Sequence, residues 1–234
     1  MEIKPVAYIK TDFTEKFGIP RQSGRVENLI GRIYFYPEYQ NPDFIRGLED
    51  FSHIWILFDF SESHRDSHSP TVRPPRLGGN KRTGVFASRS PFRPNSLGLS
   101  CVKLEKIERD EKGGNILVVS GVDMLDMTPI YDIKPYIPYT DSRPDARGSF
   151  ADEFSAYRLE VDFPRELLER IPEEKRDALI CCLSEDPRPS YITDGSRIFK
   201  MKYDEYDVHF TVSALKLTVE NVLKNNNKNL LKKC

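Results

Sequence analysis

The sequence predicts a mainly β protein whose longer helices are confined to the C-terminal third, and three observations lead there. His53–Phe60 is a continuous apolar run of strand length. Leu99–Leu104 and Asn115–Ser120 are further strand-like runs, joined by the turn signal Asp110-Glu111-Lys112-Gly113-Gly114. The longer helical segments opened by a proline, Pro164–Arg170 and Pro172–Leu183, come after residue 163. A chain of 234 residues, 38% hydrophobic and 30% charged, can bury one large core, or one core and a small appended unit.

Taken in order, Val6–Ile9 reads as a first strand, and Phe17–Gly24 as a loop with two glycines and a proline. Gly31–Tyr36 is a second strand. Asn41 and Pro42 supply an N-cap and a first helical residue for a short helix ending near Gly47. His53–Phe60, apolar on both faces, is expected as a central strand, with His53 a hydrogen-bonded structural residue at its start. The polar run Ser61–Ser69 leaves the sheet.

Thr71–Ser100 then carries Arg73, Arg76, Lys81, Arg82, Arg89 and Arg93 without one carboxylate, in a chain of net charge −1. Such an excess makes an anion site. Its prolines (Pro74, Pro75, Pro91, Pro94) and glycines (Gly78, Gly79, Gly84, Gly98) shape an ordered loop system rather than a solvated basic tail. Val85-Phe86-Ala87 and Leu97-Gly98-Leu99 read as strand-like inserts within it.

Beyond Ser120, the segment Val122–Tyr139 concentrates acids, tyrosines and prolines, so that Asp and Tyr side chains are held beside fixed turns. Thr140–Ser155 reads as a linker or loop. A strand at Ala156–Phe163, the two helices, a proline-locked loop at Ser184–Tyr191, and strands at Arg197–Tyr203 and Tyr206–Leu217 complete the chain before an Asn- and Lys-rich tail from Lys224.

Several function classes are excluded. There is no GxxxxGK[ST] loop, no GxGxxG after a strand and no GxSxG elbow. The four histidines lack zinc spacing, and no metal site is expected. Cys101, Cys181, Cys182 and Cys234 form no CxxC pair and read as reduced thiols, with one of the vicinal pair in the core. No apolar run reaches the ~20 residues of a membrane span, and Met1–Pro5 has no signal-peptide core, so the expected location is the cytoplasm. A rigid cationic pocket beside Asp and Tyr elements suits RNA phosphate and unstacked bases. Two readings follow, an RNA-modifying enzyme and a non-catalytic RNA-binding module.

A family resemblance separates them. Pro20-Arg21-Gln22, Gly47–Trp55, Arg73–Asn80, Gly84–Asn95 and Asp132–Tyr136 resemble the TrmO/TsaA (YaeB-like) family over residues 1 to about 141, and Asp186-Pro187-Arg188-Pro189 resembles the loop of its small C-terminal domain. The resemblance implies a single β-barrel catalytic domain (1–141), neither Rossmann nor knotted, with a small α+β domain (156–223) that contacts tRNA, in a homodimer. It implies methyl transfer from S-adenosylmethionine to N6 of threonylcarbamoyladenosine beside the tRNA anticodon. By position, the cofactor contacts fall on Pro20, Arg21, Gln22, Ser61, Glu62, Arg89, Leu99 and Leu125-Asp126-Met127-Thr128. Met127 stands where members often have glycine, and Ser61-Glu62 where they can have His-Gln. Asp126, Asp132 and Tyr136 are candidate bases, Arg76, Lys81, Arg188 and Tyr191 candidate tRNA contacts, and Arg93 the candidate reader of the threonyl carboxylate.

Overall fold

The computed structural model describes residues 2–74, 81–189, 191–192 and 194–225. Strands β1 (Ala7–Lys10), β2 (Ile30–Phe35), β3 (His53–Asp59), β6 (Leu97–Arg109), β7 (Asn115–Ser120) and β8 (Thr128–Pro135) close into an antiparallel barrel in the order β1-β2-β7-β6-β3-β8. Closure removes every edge, which a sheet of this length otherwise exposes. A separate two-stranded ladder pairs β4 (Thr71–Val72) antiparallel with β5 (Thr83–Gly84).

Strand alternation fills the interior: Ile9, Ile33, Ile54, Ile56, Leu117, Val119 and Ile130 are fully buried. His53–Asp59 is therefore not covered on both faces, as its composition suggested. Trp55 and Leu57 point outward and stay partly exposed, because a closed barrel has one dry side. The expected cap at Asn41 is formed: its side chain accepts from the Asp43 amide at 3.0 Å. Val85-Phe86-Ala87, expected as strand-like, is instead a 3-10 turn whose Val85 carbonyl accepts from the Ser88 hydroxyl at 2.8 Å.

The C-terminal unit is a sheet in the order β10 (Phe199–Tyr203), β11 (Tyr206–Ser213), β12 (Lys216–Lys224), β9 (Glu160–Asp162). The expected strand Tyr206–Leu217 is two strands. The chain reverses at Ala214-Leu215 with Ala214 in the left-handed region (φ 52°). Neither residue signals a turn, and the alternating pattern runs straight through them. Of the helices α1 (Pro138–Asp141), α2 (Arg165–Leu168) and α3 (Glu173–Ser184), the last buries Ala178, Leu179, Cys182 and Leu183. Cys182 is buried and Cys181 exposed, the expected split.

The two units share one core. The barrel loop after β1 sends Phe13 into the C-terminal sheet, where its ring meets Tyr203 edge-on at 5.6 Å, and Phe17 stacks on Phe199 and Phe210 at 6.3 Å each. Gly18 (φ 100°) lies so close that a Cβ there would sit 2.3 Å from the Met201 sulfur. Ion pairs rim the contact: Lys175 bridges Asp12 and Asp204, each at 2.6 Å. Residues 11–25 are thus held from two sides, by the barrel they leave and by the sheet they enter.

Candidate functional site

The antiparallel register brings one set of strand ends together: the ends of β1, β3 and β7 and the starts of β2, β6 and β8. The loops on this end are residues 11–24, the 3-10 turn Ser61–Ser63, residues 85–96 and residues 121–127. Each loop contains residues singled out in the sequence, although they are far apart along the chain.

Four consecutive residues of the first loop are tied to four different places. Gly24 donates its amide to the Gly121 carbonyl at 2.8 Å, and Gly121 has φ 77° with the Gly24 backbone 3.3 Å from where its Cβ would stand. Glycine is required there for both reasons. The Ser23 amide bonds the Asp123 carboxylate. The Gln22 side-chain oxygen accepts from Arg89 Nη1. Arg21 Nη2 donates to the carbonyls of Asp186 (3.3 Å) and Arg188 (3.2 Å) in the C-terminal unit.

The second loop is tied back in the same way. The Asp126 carboxylate accepts from the Thr11 amide at 3.0 Å, the Asp126 amide donates to the Phe13 carbonyl at 2.7 Å, and the Met127 amide donates to the Ile9 carbonyl at 2.8 Å. Met127 has φ 61° and is half exposed, so it holds a left-handed conformation at about 1–2 kcal/mol of strain. Burial pushes the Asp126 carboxyl above the usual carboxylate range. Ser61 and Glu62 follow β3, where Lys16 bonds the Glu62 carbonyl at 2.6 Å and pairs with its carboxylate at 3.6 Å. Leu99 points outward and is 57% exposed.

Sequence reasoning passed over Asp123. It is partly buried, accepts from the Ser100 hydroxyl at 2.7 Å, and desolvation pushes it up to about 6 although Arg89 nearby favours its charge. Nothing local distinguishes it from Asp126 or Asp132; the Ser100 hydroxyl that meets it comes from β6.

The three candidate bases do not gather. At about 3.3 Å per strand residue, Asp132 lies roughly 13 Å and Tyr136 roughly 26 Å beyond Thr128. Asp132 pairs with Lys134 at 2.8 Å and lines a 430 Å³ cavity with Phe44, Leu48 and Phe51 at the other end of the barrel. Tyr136 packs on Trp55 and His53. Asp126 alone lies with the clustered loops.

Among the expected tRNA contacts, Lys81 is exposed and Tyr191 is 66% exposed. Arg93 is partly buried, with Nη1 on the Ser88 carbonyl at 3.2 Å. Arg76 lies outside the described residues. Arg188 turns inward: its side chain is 12% exposed and its Nε donates to Asp186 at 3.0 Å. That pairing leaves it poorly placed for phosphate. Among the described residues, no ion pair joins Arg73, Lys81, Arg82 or Arg93 to a carboxylate, and Arg89 has only the nearby Asp123 to offset its charge.

The donor set fits a zwitterion with an apolar edge. Arg89 and Gln22 offer a charged fork and an amide, Asp123 and Asp126 offer acceptors, and exposed Leu99 and Met127 offer apolar surface. Barrel and loops together define a mainly β protein that keeps its candidate ligand groups in loops at one barrel end, unlike the nucleotide sites of parallel α/β sheets. The chain belongs to the tRNA-methyltransferase O family: the model of that family's N-terminal domain matches residues 8–142, and the TrmO C-terminal domain matches residues 156–225. It is 42% identical over 196 residues to the tRNA (adenine(37)-N6)-methyltransferase of Escherichia coli K12, covering 81% of this chain and 83% of that one. It is 37% identical over 216 residues to the putative S-adenosylmethionine-dependent methyltransferase RcsF of Pseudomonas aeruginosa, covering 89% and 91%. The crystal structure of TrmO from Pseudomonas aeruginosa superposes with a TM-score of 0.77 at 31% identity, over 96% of this chain and 97% of that one.

Proposed function

We propose that this protein is an S-adenosylmethionine-dependent methyltransferase acting on N6 of adenosine 37 in tRNA, and that the adenosine it accepts carries the threonylcarbamoyl group. The observation that carries the reading is the convergence of Gln22, Arg89, Asp123 and Asp126–Thr128, from three distant segments, on one barrel end in a chain of this family. When bound, S-adenosylmethionine supplies an electrophilic methyl group on a sulfonium.

The chain's residues bind, orient and accept a proton. Arg89 and Gln22 hold the donor's carboxylate, with Pro20, Arg21, Ser61 and Glu62 shaping the loops around them, while Leu99, Leu125 and Met127 cover its apolar edge. The acceptor nitrogen, already acylated, is a weak nucleophile, so positioning carries much of the acceleration, on the order of 7–11 kcal/mol for well-oriented groups. The Asp126 carboxylate, with its proton affinity raised by burial, takes the N6 proton.

S-adenosylhomocysteine titration tests the site. Arg89→Ala is expected to weaken it about tenfold, the loss of one charge-assisted contact, in a protein whose melting curve is unchanged. An unaltered affinity in that folded variant removes Arg89 from the site, and no binding by the unsubstituted protein leaves only a passive RNA-binding module.

On the tRNA side, Lys81 neutralises phosphate together with Arg76, and Tyr191 adds contact from the C-terminal unit. Lys81→Ala is expected to weaken every tRNA alike and to flatten the log-log salt dependence by about 0.7–0.9. Arg93, held between Pro91 and Pro94 with its amide on the Pro91 carbonyl at 3.0 Å, presents a fixed fork to the threonyl carboxylate. Arg93→Ala is expected to cost about 1.5–3 kcal/mol on threonylcarbamoylated tRNA only. Equal losses on modified and unmodified tRNA would remove that role.

Phe86, an apolar side chain 80% exposed, supports a homodimer; sedimentation at micromolar concentration decides it. Among the described residues no helix is long and apolar enough to cross a membrane. A tRNA substrate is in keeping with a cytoplasmic location.

A further inference from the structure

We infer that the Asp186-Pro187-Arg188 loop of the C-terminal unit is a positioning element of the methyl-donor site, acting through Arg21. The inference rests on the reading above that Pro20-Arg21-Gln22 contacts the donor. It replaces the expectation that Arg188 touches tRNA.

Three observations carry it. Arg21 spends Nη2 on the carbonyls of Asp186 and Arg188, across the contact between the two units. Those carbonyls are aimed by a buried arrangement: Asp186 holds a left-handed backbone (φ 54°), its two carboxylate oxygens accept from Arg188 Nε at 3.0 Å and from the Tyr157 hydroxyl at 2.9 Å, and two prolines fix φ on either side of Arg188. Glu185, one residue earlier, binds Arg25 of the same barrel loop at 3.0 Å and Arg158 at 2.7 Å. The loop is therefore gripped at residues 21 and 25 by the C-terminal unit, and at residues 22, 23 and 24 by the barrel.

A grip of this kind has a stated effect on binding. A donor loop held in its binding conformation loses little freedom when the ligand arrives, whereas a loop released at Arg21 must be ordered by the ligand itself. Buried charge pairs suit the task because their geometry is all or nothing: removing one partner leaves the other uncompensated and lets the loop shift. Arg188, which faces Asp186 and is turned away from solvent, holds the shape of a site to which it contributes no contact.

Calorimetric titration of the full chain with S-adenosylhomocysteine, paired with hydrogen exchange at the Gln22 and Ser23 amides, tests this. Arg188→Ala is expected to weaken the cofactor product about tenfold and to speed exchange at those two amides by a similar factor, with KM for tRNA unchanged. Arg188→Lys, which keeps a charge for Asp186, is expected to recover part of the affinity. The double variant Arg21→Ala/Arg188→Ala should bind no more weakly than Arg21→Ala alone, since one acts through the other. Should Arg188→Ala melt too low to titrate, Tyr157→Phe, which removes one bond to Asp186, is expected to weaken binding about threefold.

Unchanged affinity in a folded variant overturns the inference, as do additive losses in the double variant. A loss confined to KM for tRNA overturns it in favour of a direct tRNA contact. If the unsubstituted protein fails to bind S-adenosylhomocysteine, the donor-site reading falls and takes the inference with it, an outcome distinguishable from the other three because it precedes any substitution.

Discussion

Phe13→Ala is expected to lower the free energy of unfolding by about 3–5 kcal/mol, the range for truncating a buried aromatic side chain. Phe13 is fully buried, its ring lies edge-on to Tyr203 and against the Gly18 backbone, and its carbonyl accepts from the Asp126 amide. One residue therefore joins the barrel, the C-terminal sheet and the loop that carries Asp126. Urea denaturation at pH 7 reads the loss, and a single transition is expected to persist because the core crosses between the units. A cost below about 1 kcal/mol would mean that the site collapses around the truncation and that the shared core is weak.

Asp123→Asn is expected to stabilise the protein at pH 8 and to do so less at pH 5. The Asp123 carboxyl is pushed from 3.8 up to about 6 in the folded state, chiefly by burial. The sign follows from proton binding. Between about pH 4 and pH 6 the folded chain holds a proton that the unfolded chain has lost, so stability falls as pH rises through that window and stays level above it. At about 1.4 kcal/mol for each unit, the full penalty is on the order of 3 kcal/mol at pH 8 and about half that at pH 5. Asparagine keeps an oxygen for the Ser100 hydroxyl and the Ser23 amide without the buried charge. Denaturation of both proteins at the two pH values tests it, and a gap that does not widen with pH would place the ionisation elsewhere. The ionised carboxylate is the stronger acceptor for the Ser23 amide, so the same charge that costs stability tightens the loop beside Arg21 and Gln22.

Much of this molecule was legible before any coordinates. The strands from Ile30 to Phe35, His53 to Asp59 and Asn115 to Ser120 lie within a residue of where apolar runs and turn signals put them. The Asn41 cap and the helix opened by Pro172 are local chemistry, written in two or three adjacent residues. The turn at Ala214-Leu215 was not legible, because its left-handed residue is alanine and the strand pattern continues across it. Val85–Ala87 was misread because three apolar or small residues do not distinguish a strand from a 3-10 turn.

The site divides along the same line. Its candidate motifs are contiguous strings, and Pro20-Arg21-Gln22, Arg89 and Leu125–Thr128 are nominated by the family resemblance those strings carry. The sequence by itself determined the strand content, the acid-free basic stretch and the family. Tertiary structure alone decided which of those residues meet: that Asp132 and Tyr136 lie far from Asp126, that Arg188 faces Asp186 rather than solvent, and that Ser100 and Asp123 close on each other from separate segments. Periodicity states which face of a strand a residue occupies. Barrel closure and register, set by pairings between residues up to about 120 apart in the chain, state which end it reaches and what it finds there.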